Sequence, residues 1–140
     1  MIFRRYSLCL VLLILISLSG CLTPGPGTAI TYSGDLNPTG EQLQMNGTIH
    51  DTTGSGPFHN VTLYFYTEEA NLLNETAVAT LTGQRDVSLT VSPSPKYIII
   101  DSPDFWEINQ IDVVYFVRQG DGTYAEETAT ARGELPVEPE

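Results

Sequence analysis

Lysine is nearly absent from this chain. Lys96 stands alone in 140 residues, and 17 acidic side chains against 6 basic ones give a formal net charge of −11 at pH 7. Two of the six bases are Arg4 and Arg5, so beyond the first five residues 17 acids face 4 bases, an excess of 13 negative charges. A surface of that sign repels phosphate backbones and anionic headgroups, which argues against nucleic acid or charge-driven membrane docking. Cysteine is equally scarce. Cys9 and Cys21 are the two present, both ahead of the body of the chain, so everything after residue 21 is expected to fold without a disulfide. About 110 residues suffice for that, because a domain of this size can bury a core large enough to stand without staples.

Long apolar runs and helical periodicity are missing too. Leu8 to Ile16 is unbroken grease, but spanning a bilayer takes roughly 20 apolar residues, so this run is too short to cross. No window repeats apolar residues at the helical period. No serine sits in a nucleophile-elbow context, and no phosphate loop or metal-ligand cluster is spelled out, which leaves an enzyme reading with no residue to name.

What the first thirty residues do contain is a layout. Arg4 and Arg5 precede the apolar run, and Ser19 and Gly20 put small side chains directly before Cys21, the arrangement of a secretory signal. Leu18-Ser19-Gly20-Cys21 resembles the lipobox of prokaryotic lipoproteins. The resemblance implies a signal peptide over 1–20, removed by cleavage, and a lipid thioether on Cys21, the one side chain there nucleophilic enough to take it. Two chains on that sulfur would anchor stably where one would not. An ordinary signal peptide with a chance cysteine is the alternative. Arg4-Arg5 also resembles a twin-arginine export signal, from which Ser7 departs.

Residues 21–28 read as the lipidated cysteine and a linker, since Thr23-Pro24-Gly25-Pro26-Gly27-Thr28 alternates the two strongest structure breakers. At no more than about 3.5 Å per residue the leash reaches roughly 25 Å. Residues 29–132 form the expected domain, and 133–140, with Pro136 and Pro139, read as a disordered acidic tail. The acidic, lysine-poor composition resembles that of halophilic archaea, in whose salt self-repulsion is screened; an acidic mesophilic protein is the alternative.

Within the domain the pattern is β. Leu43, Met45 and Ile49 alternate with polar neighbours, as do Val61, Leu63 and Phe65, and Val87, Leu89 and Val91, the period of two that half-buried strands require. Tyr97-Ile98-Ile99-Ile100 is continuous, which suits a strand covered on both faces or one that changes sheets. Residues 111–118 and 123–132 flank Gly120-Asp121-Gly122 as a hairpin, while 77–81, preceded by Leu72-Leu73, suits either a strand or a helical turn. The expected fold is all-β: an antiparallel immunoglobulin-like β-sandwich of 7–8 strands, with a closed barrel as the alternative.

Asn46-Gly47-Thr48-Ile49-His50-Asp51, a glycine-rich turn at 54–57, and Val61-Thr62-Leu63-Tyr64-Phe65-Tyr66 resemble the FxLYD-type immunoglobulin-like domains of prokaryotic lipoproteins over roughly residues 43–91. Phe65-Tyr66 stands where that family has its aspartate, and the glycine after the strand is lacking. The resemblance implies fold and envelope location and brings no catalytic residues.

Asn46, Asn60 and Asn74 each open an N-x-Thr acceptor sequon and are candidate glycosylation sites. His50, Asp51 and His59 bracket a loop, but the glycines and serines between them fix no metal geometry, and no metal or cofactor is expected. The densest stretch is Asp101 to Asn109, where Asp101, Asp104, Glu107 and nearby Asp112 offer oxygens and Phe105-Trp106 an aromatic anchor. Turn chemistry at Ser102-Pro103-Asp104 and a Trp106 plug for one end of the fold are the plainer readings. The function expected is that of a membrane-anchored, extracytoplasmic, non-enzymatic interaction or accessory module held by Cys21, with an envelope or surface protein as its partner. The alternative is a solute- or metal-binding lipoprotein using loop 101–112, calcium included.

Overall fold

The computed structural model describes residues 28–39, 41–107 and 111–139. The chain is all-β: β1 (Thr28–Thr39), β2 (Gln42–Asp51), β3 (Phe58–Tyr66), β4 (Leu72–Leu81), β5 (Gln84–Val91), β6 (Tyr97–Asp101), β7 (Asp112–Arg118) and β8 (Tyr124–Ala129), with 3₁₀ turns at Pro103–Glu107 and Arg132–Glu134. The order through the sheet is β4-β3-β6-β7-β1-β2-β5, with β8 on β7. The two ends of that path, β4 and β5, come side by side, so the sheet curls into a near-barrel.

Antiparallel pairing is not universal, which corrects one expectation. β1 runs parallel to β7, Thr28 against Asp112 and Ile30 against Val113. β8 holds one edge of β7 from Val113 to Arg118. A strand has two edges, so β1 at the start of β7 and β6 at Tyr115 to Val117 share the other. The sheet therefore divides at β7, one part turning toward β1, β2 and β5 and the other toward β6, β3 and β4.

The alternating segments put their apolar sets into one core: Leu43, Met45, Ile49, Val61, Leu63, Phe65, Val87, Val91, Ile98, Ile100 and Phe116 are all buried in a single cluster. The continuous run in β6 has a simple cause. Ile98 and Ile100 face that core, while Ile99 faces a second, smaller cluster with Tyr66, Ala129 and Leu135 on the outer side of the sheet. β6 is thus covered on both faces. What covers the outer face is the segment read as a disordered tail, and that reading is corrected. Leu135 is 6% exposed, because an apolar side chain directly after the 3₁₀ turn Arg132–Glu134 reaches the tyrosine-rich back of β3, β6 and β7.

β1 has no clear strand signal in the sequence, since Gly34, Asp35, Asn37 and Pro38 are all residue types depleted in strands. It pairs with β2 over ten residues, from Ile30↔Asp51 to Thr39↔Gln42. Gly34, at φ +143°, and Gly47 face each other across the pair. A Cβ on Gly47 would meet the Tyr32 ring, and one on Gly34 would meet the backbone at Asn46 and Gly47, so glycine is what lets that ring cross the strand. The 72–81 segment is a strand rather than a helical turn, and the hairpin at 120–122 forms as expected, with Gln119 N–H donating to Thr123 O at 2.7 Å.

Candidate functional site

The loops gather at two ends. At the first, β1 begins beside Asp112, Thr52 N–H donates to Ala29 O at 2.8 Å, and Asp51 N–H donates to Gly83 O at 2.8 Å. His59 N–H donates to Asp104 Oδ2 at 2.6 Å, bringing in loop 101–107. This end is plugged. Phe105 is fully buried, edge-on to Phe58 at 5.1 Å and to Trp106 at 6.4 Å.

The dense acidic-aromatic loop is held together by its own contacts. Asp101, 7% exposed, accepts the Trp106 indole N–H at 2.7 Å and lies 3.6 Å from Arg132 Nε. Ser102 donates its hydroxyl to His59 O at 2.6 Å, and Asp104 N–H donates to Ser102 Oγ at 3.2 Å. Five residues were expected as binding groups. Of these, Phe105 is core, Asp101 is buried and paired, Asp104 caps the start of β3, Trp106 is half-buried and Glu107 alone is exposed. Trp106 was the expected plug, but its neighbour Phe105 fills the end. Among the described residues no group of three His, Cys, Asp or Glu side chains is placed to hold a metal ion. His50 Nε2 lies 2.8 Å from Ser33 Oγ, and Asp51 closes its own loop, accepting Thr53 N–H and Gly56 N–H.

The opposite end is open. There the β1–β2, β3–β4, β5–β6 and β7–β8 connections meet: Ser94 N–H donates to Glu41 O at 2.7 Å, Lys96 N–H to Tyr66 O at 2.8 Å, and Arg118 N–H to Lys96 O at 2.8 Å. Between them lies a cleft of about 480 Å³ lined by Glu41, Thr67, Glu68, Glu69, Leu73, Pro93, Ser94, Lys96 and Arg118. Its origin is the strand period. Glu41, Thr67, Pro93, Lys96 and Arg118 each stand two residues beyond a core residue, namely Leu43, Phe65, Val91, Ile98 and Phe116. They continue the inward-facing rows of five strands past the point where the core stops, forming a polar mouth to an apolar barrel.

Both cations of the mouth are fixed by backbone oxygens. Lys96 Nζ donates to Arg118 O and Arg118 Nη1 to Ser94 O, each at 2.8 Å. Tyr124 braces the same place, donating its hydroxyl to Pro95 O at 2.6 Å; burial pushes its pKa up to about 12, against an opposing pull from Arg118. Sequence reading missed this mouth. Its signal was the lone lysine directly ahead of the apolar run 97–100 and an arginine closing the run 113–117.

Asn46, Asn60 and Asn74 are all exposed. Asn46 Oδ1 accepts the Ser88 hydroxyl at 2.6 Å, and Asn60 sits at φ +55° in a region asparagine tolerates. Cys21 and the signal and linker segments 1–27 lie outside the described residues, among which no helix is long and apolar enough to cross a membrane. Compared with family models, curated proteins and solved structures, the chain matches none.

Proposed function

We propose that the protein is a lipid-anchored, extracytoplasmic module that acts by binding rather than by catalysis, with Cys21 as its attachment point and the open mouth as its working face. One observation carries the second half of that reading. The start of β1, where the leash would join, and the mouth are at opposite ends of the barrel. The ten residues of β2 rise about 33 Å between those ends, so a chain tethered through residues 21–27 would hold Lys96 and Arg118 away from the membrane. Solute binding, first expected at loop 101–112, is better served by the mouth, since Asp101 is taken by the Trp106 indole and Asp104 by the backbone of β3.

The division of the sheet at β7 supports an immunoglobulin-like sandwich in finer detail, and the likeness of residues 43–91 to FxLYD-type lipoprotein domains points to the same cell envelope. The lysine-poor, acidic surface favours a halophilic source, and the exposure of Asn46, Asn60 and Asn74 leaves all three open to a glycan. The test is fractionation of cells expressing the full chain. Cys21→Ser is expected to release the protein or leave it unprocessed, and survival of both processing and membrane association would falsify the anchor.

A further inference from the structure

We propose that the mouth binds a small zwitterion, a molecule bearing a carboxylate and an ammonium on the same carbon as a free amino acid does. Lys96, Arg118 and Ser94 take the carboxylate, and the glutamates of the mouth supply the countercharge for the ammonium. The inference deepens, and rests on, the reading of the mouth as the working face.

Cations are rare here, yet they concentrate. Among the described residues the basic side chains are Arg85, Lys96, Arg118 and Arg132, and two of the four line one cleft. Neither Lys96 nor Arg118 lies within 4 Å of a carboxylate among the described residues, although Glu41, Glu68 and Glu69 line the same space. Each gives one side-chain hydrogen bond to a backbone carbonyl. An ammonium has three donors and a guanidinium five, so both keep donors to spare while their heads are held still. A cation fixed by main chain and left unpaired is preorganised for an incoming anion.

Ser94 adds a second observation. Its Oγ is buried and has no hydrogen-bond partner among the described residues, and Ser94 lines the cleft and anchors Arg118 through its own carbonyl. A buried orphan hydroxyl is disfavoured until something accepts or donates to it. The charge balance then selects the ligand. Two cations against three glutamates leave the mouth slightly negative, which disfavours a plain dianion and suits a molecule carrying both signs. Leu73 and Pro93 add an apolar wall for a side chain.

The experiment uses the full chain in detergent micelles, titrated at fixed ionic strength with glycine and with leucine, and separately with acetate and with methylammonium. Affinity is read by equilibrium dialysis and by the amide resonances of Ser94, Lys96 and Arg118. Glycine and leucine are expected to bind and move those resonances, and each half-molecule to bind about tenfold more weakly or worse. Arg118→Gln is expected to weaken glycine binding by about tenfold or more. If that variant does not fold, the double change Glu68→Gln with Glu69→Gln, on an exposed turn, carries the test with the same expected loss. Acetate binding as well as glycine, or undiminished binding by the double variant, overturns the ligand class and leaves the mouth as a working face. No binding by any probe overturns both. Neither result touches the Cys21 fractionation, which stands or falls by itself.

Discussion

Trp106 donates its indole N–H to Asp101 at 2.7 Å, and Asp101 is buried while the indole is only half so. The donor therefore serves the acceptor, a carboxylate that water barely reaches. Trp106→Phe removes the donor and leaves Arg132 at 3.6 Å as the partner of that carboxylate. The expected cost is about 1.5–3 kcal/mol, read as a lower urea midpoint with an unchanged slope. Glu107→Gln, exposed on the same turn, is expected to stay within about 0.5 kcal/mol. Equal effects from the two would remove Asp101 from this account.

Leu135 holds the back of the sheet with Tyr66, Ile99 and Ala129. Leu135→Ala is expected to cost about 2–5 kcal/mol, and a chain ending at Arg132 to gain affinity for a dye that reports exposed apolar surface. A tail that merely trails in solvent would show neither.

Alkaline sensitivity follows from two tyrosines. Tyr32 and Tyr124 are both raised to about 12, chiefly by burial, from an ordinary value of 10. A raised acid holds its proton more tightly in the folded state, so its contribution is complete below pH 10 and is lost as pH climbs toward 12. Unfolding midpoints are expected to fall across that window, and Tyr124→Phe to fall less steeply there while starting lower, because its bond to Pro95 O is gone. A midpoint that is flat from pH 10 to 12 contradicts this.

Salt is expected to stabilise. The formal net charge is −11, and the described residues contain a single ion pair within 4 Å, Asp101 with Arg132, so screening has much repulsion and little attraction to weaken. Going from about 0.1 M to 1 M shortens the screening length from roughly 10 Å to 3 Å. The melting temperature should rise with sodium chloride over that range, and a fall would show that attraction dominates.

The strands with clean alternation were legible because burial on one face leaves a period of two, as at Leu43, Met45 and Ile49. β6 was legible as a doubly covered strand, although what covers it was not. Leu135 sits among glycine, glutamate and proline, and one apolar residue carries no period. β1 was hidden by Gly34 and Pro38, which spell a turn in isolation but serve a close strand approach once β2 lies alongside. At loop 101–107 residue types alone suggested a site, but whether an acid faces a ligand or an indole depends on the neighbours brought by folding. The mouth was hidden for the same reason: its residues come from four separate connections, joined only when the strands register.

The parallel pairing of β1 with β7 bears on how the molecule is made. A chain emerging N-terminus first can close the β1–β2 hairpin at once, but the ring has no way to shut until Asp112 and Val113 arrive some eighty residues later. Until then the inward rows of β2, β3 and β5 face solvent, and closure across such a span is slow. Nascent chains halted near residue 105 should thus stay open to protease, and those extended past Ala129 should resist it.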